Sequence, residues 1–484
     1  LIFIQNSNGS KILLEDGMNS QEGTQVEITI PLIRLALTGV TGFLGSDVSR
    51  AVQSRNIQAT ALIRASKKEE DFGKEFPSFR KVTGSLLDVH SLHGVMRHQN
   101  VFINIAADSS TNVSKENIEG TAEIIRANVI GPALALIVSN QENSQMRKIF
   151  ISSFDVNKVP AAAKPWVEKA TKEIIRYAQE YVDAQGKTSE TIDAFSLKMA
   201  EDLKKQEFKV FAYPMSKVLM DGVLSQLFEE LQAKNMIILR IMGLVGRDMR
   251  KSSNSGFLMN LIDAVLDVNE RPVGKRITPY KGLTASLISS DDIAEALMNL
   301  AKVKLSQEQM KRPLNLELGG DRIAWEEVVR IIAAKAKELE GVDRDFMKNI
   351  SFIDPPAGFV NVETSADLKP LEQLLQNKTR IIPIRKEIEF LVEQEFLLLR
   401  KKISESDEPI VSSAIDDKAA AGNLSLSHKK VLVVDNREVE KETGKGRKFL
   451  KDALQDDYAV VEAYDGDSAL KIIIEGALIL LLQI

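Results

Sequence analysis

An α/β fold built on a doubly wound parallel sheet is the class this sequence predicts, and three observations predict it. From Arg34 to about Arg400, short and largely apolar runs alternate with helical stretches. Strands buried on both faces read that way, because helices cover a parallel sheet above and below. A glycine loop, Thr38-Gly39-Val40-Thr41-Gly42-Phe43-Leu44-Gly45, stands between the first of these strands and the first of these helices. A polar, small-residue-rich stretch at 404–428 then separates this domain from a second, shorter run of strand and helix patterns.

The elements follow in order. Residues 1–32 form a separate β-rich opening, in which 25–31 alternates apolar and polar side chains as a half-buried strand does. With turns at 7–10 and 21–23, two or three antiparallel strands are expected there. The main domain spans 33–403. Its strands are predicted at 35–37, 59–63, 101–105, 148–151 and 236–239, with a helix over 46–54 after the glycine loop. Right-handed crossovers make such a sheet doubly wound. A charged insertion at 160–208 reads as two amphipathic helices around a polar turn at 186–189. Beyond the linker, 429–484 begins a new strand at 430–435 and continues as helix, strand (459–463) and helix, stopping in an apolar run at 478–484.

At 484 residues the chain is long for one core, so two or more folding units are expected. A net charge of −5 gives nucleic-acid binding no electrostatic support. The absence of cysteine excludes disulfides, thiolate chemistry and cysteine-ligated zinc. Of the four histidines, His90 and His93 share an i, i+3 spacing, but no matching ligand motif stands elsewhere and no metal is expected. No run approaches the roughly 18–20 apolar residues that span a bilayer. The start lacks a basic segment ahead of an apolar run, so a secretory signal is not expected and a cytoplasmic setting is.

Within the main domain, Gly39, Gly42 and Gly45 let the backbone turn tightly and approach a pyrophosphate, whose charge is favoured by a helix N-terminus. An acid at the end of the second strand would bind the ribose of NAD, whereas cations there suit the 2′-phosphate of NADP. Arg64, Ser66 and Lys67 stand there and no acid precedes Glu69, which favours NADP with NAD as the alternative. Tyr213-Pro214-Met215-Ser216-Lys217 puts a phenol and an amine on one helix face. The ammonium is expected to lower the phenol's pKa and to hold a nicotinamide ribose, letting Tyr213 exchange a proton with a substrate oxygen. Ser152-Ser153, at a strand end, supplies a hydroxyl to orient that oxygen.

These motifs recur in one order with Asn104-Ile105-Ala106-Ala107, Asn128-Val129-Ile130-Gly131, Leu239-Arg240 with Gly246, Ser290-Asp291-Asp292-Ile293-Ala294-Glu295-Ala296 and Leu314-Asn315-Leu316-Glu317-Leu318-Gly319-Gly320. Residues 33–400 thereby resemble the extended short-chain dehydrogenase/reductase family, which contains nucleotide-sugar epimerases and dehydratases. The resemblance implies a Rossmann sheet with a small α/β substrate-binding part. It implies Tyr213 as proton donor or acceptor, Lys217 as its partner, Ser153 as the orienting hydroxyl and Asn128 as a structural or relay residue. Cofactor contacts implied by it are Gly39, Thr41, Gly42, Phe43, Leu44, Gly45, Arg64, Leu86, Asp88, Ala106, Ala107 and Asn128, with Tyr213 and Lys217. A homodimer through a four-helix contact is a further expectation from the resemblance.

The departures are specific. Ser85-Leu86, with Asp88 beyond, stand where the family has an acid and an apolar residue near adenine, and Ile241 replaces a proline. Phe154 precedes Asp155 where dehydratases carry an acidic pair, which counts against dehydratase chemistry while Asp155 leaves it open. Ser153 and Tyr213 are 60 residues apart, and the helical insertion accounts for the length. It is expected to shape or cover the substrate site, with a peripheral decoration or dimer contact as the alternative. Ala61-Leu62-Ile63-Arg64-Ala65 and Tyr213-x-x-Ser216-Lys217 also resemble thioester reductases, which keeps an acyl substrate beside a sugar.

The two ends carry weaker likenesses. Residues 429–484 are similar to the first half of a response-regulator receiver through Val431-Leu432-Val433-Val434-Asp435-Asn436 and Ala463-Tyr464-Asp465-Gly466-Asp467-Ser468-Ala469-Leu470. No aspartate follows Asp467, so phosphotransfer to this partial α/β unit is not expected. Gly23-Thr24-Gln25-Val26-Glu27-Ile28-Thr29-Ile30-Pro31 resembles the closing strands of a sensor-kinase ATPase domain, without its ATP-binding boxes. That order suggests a fragment of a hybrid signalling protein with signalling partners. Two functions are therefore carried forward: an NAD(P)-dependent oxidoreductase or epimerase acting on a small molecule, and an NADP(H)-binding sensory module without turnover. An inactive epimerase-like scaffold is a third.

Overall fold

The computed structural model describes residues 33–110, 113–246, 249, 256–266, 281–320, 322–341, 350, 352–354, 366–376 and 382–406, together with strands at 2–5, 11–14, 430–434, 459–463 and 479–483. The chain divides into two units, Leu1–Ser406 and Asp407–Ile484.

In the first unit, β1 (Ile2–Gln5) and β2 (Lys11–Leu14) pair as an antiparallel hairpin, with Ile2 opposite Leu14. The alternating stretch at 25–31 lies outside the described residues. The strands that follow are β3 (Arg34–Thr38), β4 (Gln58–Ile63), β5 (Arg80–Thr83), β6 (Val101–Asn104), β7 (Arg147–Ser153) and β8 (Met236–Ile241). After them come β9 (Gly243–Val245), β10 (Thr284–Ser289), β11 (Leu314–Leu318) and β12 (Arg322–Ala324). The helices before the insertion are α1 (Phe43–Ser54), α2 (Lys67–Glu75), α3 (Val89–Met96), α4 (Ile118–Ile125) and α5 (Gly131–Glu142). The insertion holds α6 (Lys164–Asp183) and α7 (Ile192–Lys204), and α8 (Ala212–Glu230) follows. Then come α9 (Gly256–Leu266), α10 (Ser290–Lys302), α11 (Gln307–Met310), α12 (Trp325–Glu340), α13 (Lys369–Leu375) and α14 (Ile384–Ser406).

Seven strands form one parallel sheet in the order β11-β8-β7-β6-β3-β4-β5. The strand alternation assigns its two faces. Leu35 and Leu37 of β3, with Ile149 and Ile151 of β7, pack with α1, α10 and α13. Ala36, Phe150 and Ile238 face the other way, onto α3, α5 and α8. A period of two therefore puts Lys148 and Ser152 of β7, and Arg240 of β8, on the α8 face. The chain winds outward through β4 and β5, then crosses to β6 on the far side of β3. That reversal opens a crevice at the C-terminal ends of β3 and β6, where α/β sheets hold ligands.

A small α/β part adjoins the sheet. In it β10 pairs antiparallel with β12 and parallel with β9, and α9, α12 and α14 share a core that includes Ile262, Val328, Ile332 and Ile388.

The insertion folds as the expected pair of amphipathic helices. Trp166, Ile174, Phe195, Met199 and Leu203 are buried in the same core as α5 and α8. Tyr177 stacks on Phe195 with ring centroids 4.0 Å apart and planes 6° from parallel, and its hydroxyl donates to the Glu190 carbonyl at 3.1 Å. Such a pair adds about 0.5–1.5 kcal/mol beyond area burial. The hairpin thus extends the core of this face rather than decorating it. It also grips loops around the crevice: Tyr181 donates to the Leu87 carbonyl at 3.3 Å, Arg126 donates to Asp193 at 2.7 Å, and Lys115 donates to the Gln206 carbonyl.

By length and mean hydropathy (1.5) the helical stretch Ile118–Glu142 could cross a membrane, but 83% of its most apolar window is buried inside the fold, so its apolarity serves the core.

In the second unit, β13 (Lys430–Val434), β14 (Ala459–Ala463) and β15 (Ile479–Gln483) form a parallel sheet in the order β14-β13-β15. The stretches between them, including Asp435, Asn436 and Asp467, lie outside the described residues.

Candidate active site

Gly39 follows β3 at φ +73°, and a Cβ there would collide with the backbone of Ala106, the second residue beyond β6. The loop therefore presses the ends of the two crevice strands together, where only a glycine fits. Thr38 fastens the same point by donating to the Asn104 carboxamide oxygen at 2.7 Å. Gly45 lies against the Gly39 carbonyl with no room for a side chain, which brings α1 up to the loop. Gly42 is the N-cap of α1 and has no side chain to cap it. The first-turn amides are thus presented to an anion, favoured by the helix dipole. Thr41 and Phe43 are half-buried around this turn, Leu44 is buried, and Ala106 and Ala107 line the β6 side.

Arg64 and Ser66 are exposed just beyond β4. Ser66 is the N-cap of α2, yet its hydroxyl caps no amide there and instead donates to the Arg64 carbonyl at 3.3 Å. The Lys67 side chain lies outside the described residues. Further along, Leu86 packs against Gly131. Asp88 has a structural task that the sequence reading did not give it. It caps α3, accepting from the amides of His90 and Ser91 at 3.2 and 3.3 Å and from the Ser91 hydroxyl.

Asn128 is buried in a π-helical turn, Arg126–Ile130, between α4 and α5. Such turns recur at functional sites because they re-aim a side chain. Its carboxamide accepts from the Asp108 amide at 2.7 Å and donates to the Asp108 carbonyl at 2.9 Å and the Ser216 hydroxyl at 3.0 Å. Asn128 thus joins the loop after β6 to the first turns of α8.

Tyr213 and Lys217 share a face of α8, as their spacing predicts, and meet the end of β7. Ser153, the last residue of β7, stands close enough to the Tyr213 phenol to act on its titration. Ser153 exchanges hydrogen bonds with Asp155, accepting from its amide at 3.1 Å and meeting its carboxylate at 3.2 Å. Asp155 forms an ion pair with Lys158. The Lys217 ammonium donates to the Ile151 carbonyl at 3.4 Å and lies 5.6 Å from the Tyr213 ring centroid. Burial pulls Lys217 down to about 8, while Asp221 and then Asp155 pull it back up. The expected lowering of the phenol does not occur. Burial pushes Tyr213 well above its usual range, Asp155 and Asp108 add to that, and only Ser153 opposes it. The physical reason is position: the ammonium faces the ring and a carbonyl rather than the phenolic oxygen.

The fold thus gathers Ser153, Tyr213 and Lys217 at one strand end, and the glycine loop with Ala106 at the neighbouring crevice. One buried residue was missed. Asp221, on α8, accepts from the Ser152 hydroxyl at 2.7 Å and from Arg240 at 2.9 Å. Its signal in the sequence is a carboxylate at the i+4 position from Lys217 on a helix otherwise apolar on that face. Among the described residues no cluster of three or more metal-binding side chains occurs, and His93 meets Glu142 at 2.6 Å.

A family described as NAD(P)H-binding matches residues 39–193. No curated protein matches the chain. Among solved structures, the UDP-glucose 4-epimerase of Stenotrophomonas maltophila with bound NAD and formylated UDP-arabinopyranose is 14% identical, with a TM-score of 0.53, and 76% of this chain covers 99% of it. The UDP-glucose 4-epimerase of Thermotoga maritima with UDP-glucose is also 14% identical, with a TM-score of 0.52 over 76% of this chain and 100% of the other. The UDP-N-acetylglucosamine 4-epimerase of Methanobrevibacter ruminantium with UDP-N-acetylmuramic acid is 15% identical, with a TM-score of 0.51 over 76% and 98%. These likenesses are of fold. The chain carries an NAD(P)-binding Rossmann domain. The kinase-like opening and the receiver-like end gain no support from these matches.

Proposed function

We propose that the chain is an NADP-dependent oxidoreductase or epimerase acting at a carbonyl or carbinol carbon, with Tyr213 as the acid/base. The observation that carries this reading is the buried Lys217 ammonium 5.6 Å from the Tyr213 ring centroid, with Ser153 at the strand end beside them, next to the glycine loop. The loop fits a dinucleotide, since Gly39 and Gly45 leave no room for side chains and Gly42 leaves the helix N-terminus uncapped. When bound, the nicotinamide supplies or accepts the hydride. The chain's own residues manage the oxygen and its proton. The Ser153 hydroxyl orients the substrate oxygen. Burial keeps the Tyr213 phenol protonated at neutral pH, so it stands ready to donate as a carbonyl oxygen becomes a hydroxyl. Lys217 holds positive charge beneath the ring and, in this reading, contacts the nicotinamide ribose.

Arg64 and Ser66, exposed beyond β4, support NADP over NAD. The UDP-sugars named with the similar structures put nucleotide sugars first among substrates to test, with acyl thioesters second. A homodimer and a cytoplasmic setting belong to the same reading.

The test is titration with NADPH and NADH by cofactor fluorescence, followed by turnover on a panel of nucleotide sugars and acyl thioesters. Tyr213→Phe is expected to lower turnover by about 10²–10⁴-fold and leave cofactor affinity unchanged. Unchanged turnover in that variant sinks the assignment, and cofactor binding without turnover on any substrate favours the sensory module.

A further inference from the structure

The corner of the fold that holds Tyr213 also holds a buried carboxylate that the proposed chemistry has not used. Asp221 lies one helical turn beyond Lys217 on α8, 9% exposed. One oxygen accepts the Ser152 hydroxyl at 2.7 Å, and the other accepts Arg240 at 2.9 Å. Ser152 precedes Ser153 on β7, and Arg240 belongs to the neighbouring strand β8. A single side chain therefore ties the helix bearing Tyr213 and Lys217 to the strand end bearing Ser153.

Burying a carboxylate and a guanidinium is a poor way to stabilise a fold, because the desolvation cost rivals the attraction gained. The placement suggests another use. The Lys217 ammonium is 2% exposed as a residue, and its contact with the Ile151 carbonyl is long at 3.4 Å. Such a cation needs negative charge nearby to stay protonated. The charged and titratable groups around it are few. On its own helix stand Tyr213 and Asp221, whose carboxyl burial pushes up while Arg240, Ser152 and Lys217 pull it back towards the charged form. Asp155, paired with Lys158, faces it from the turn after β7. Arg240 reaches Asp221 from β8, and Asp108, in the loop after β6, acts on Tyr213. Asp221 is the stronger of the two carboxylates acting on Lys217, ahead of Asp155, and acts across space rather than through a shared hydrogen bond.

Resting on the acid/base reading above, we propose that Asp221 is a positioning residue that fixes the Ser153 end of β7 against α8 and keeps Lys217 charged beneath Tyr213. It touches neither substrate nor cofactor. Its effect passes through Ser152 to Ser153, and through its charge to Lys217.

The experiment follows the titration of Lys217 in the full chain by NMR of isotope-labelled lysine ε-carbons, the resonance being identified by its absence in Lys217→Met. No cofactor or turnover is required, so loss of the enzymatic reading and loss of this one are separate results. Asp221→Asn is expected to lower the Lys217 midpoint by about one pH unit from its value near 8. Where turnover is measured, the high-pH limb of the rate profile moves down by the same amount, since the charged lysine is then lost earlier. Asp221→Glu is expected to restore most of the shift. A folded Asp221→Asn protein with an unmoved Lys217 midpoint overturns the proposal and leaves Asp221 as a fastening between elements. Should that variant fail to fold, Arg240→Gln is followed instead: it removes the cation that offsets Asp221, so the Lys217 midpoint is expected to rise, and an unmoved midpoint there overturns the proposal equally.

Discussion

A buried lysine stands at each end of strand β7, one on the strand and one on α8, and the two are put to different uses. At its start, Lys148 donates to the Ser144 and Lys234 carbonyls at 3.1 and 3.3 Å. Near its end, Lys217 reaches in from α8 to the Ile151 carbonyl. Burial draws both ammonium groups down to about 8. Burial is the whole cause at Lys148, whereas Asp221 and Asp155 oppose it at Lys217. Beside Lys148, Arg147 donates to the Leu300 and Ala301 carbonyls at 2.8 and 3.0 Å, closing the C-terminal end of α10 where the helix dipole favours a cation. The start of the strand is thus a set of backbone fastenings. A depressed lysine does not by itself mark chemistry; the phenol, the serine and the carboxylates around it do.

The largest expected effect tests that contrast directly. Lys217→Met should lower turnover by about 100-fold or more, while Lys148→Met stays within about twofold of the parent, as read by steady-state rates. Equal losses would break the comparison. Next in size is the pH dependence of stability. Both lysines titrate near 8 in the folded chain and near 10.5 unfolded, so between those values the unfolded state binds more protons and stability rises with pH. Each contributes a slope of up to about 1.4 kcal/mol per pH unit there, and either Met variant removes its own share. Tyrosines act in the opposite sense: burial pushes Tyr177 up to about 12, so the folded state keeps that proton longer and its contribution is lost at higher pH. Denaturant unfolding at about pH 7.5 and about pH 9.5 reads these slopes. The smallest effect belongs to Arg147→Ala. Losing the two carbonyl contacts should lower stability by about 1 kcal/mol in denaturant unfolding, with turnover unchanged.

Much of this contrast was legible in the sequence, though unevenly. The strands predicted at 59–63 and 148–151 are Gln58–Ile63 and Arg147–Ser153, because short apolar runs bounded by polar residues leave little choice of register. The first helix starts at Phe43 rather than 46, since the glycine loop itself supplies its first turn. Tyr213 and Lys217 were legible because a spacing of four is a local property of a helix. Local pattern does not report what a side chain meets across the fold. Asp221 bonds a hydroxyl 69 residues away, and the pKa of Tyr213 depends on burial and on Asp155. Asp88 shows the reverse: a carboxylate assigned to the cofactor is engaged as a helix cap, a role its own neighbours His90 and Ser91 define.

The inserted hairpin leaves the sheet just after Ser153 and returns just before Tyr213, so bringing the two together closes a loop of 60 residues. Drawn from a flexible chain, that closure costs about 3–4 kcal/mol of entropy. The hairpin shortens the journey by closing on itself, through the stack of Tyr177 on Phe195 and the burial of Trp166 and Met199. The stack joins residues only 18 apart in the chain, and the docked hairpin leaves a much shorter effective loop between serine and phenol. The insertion is thus long in sequence and short in the span that its ends must close.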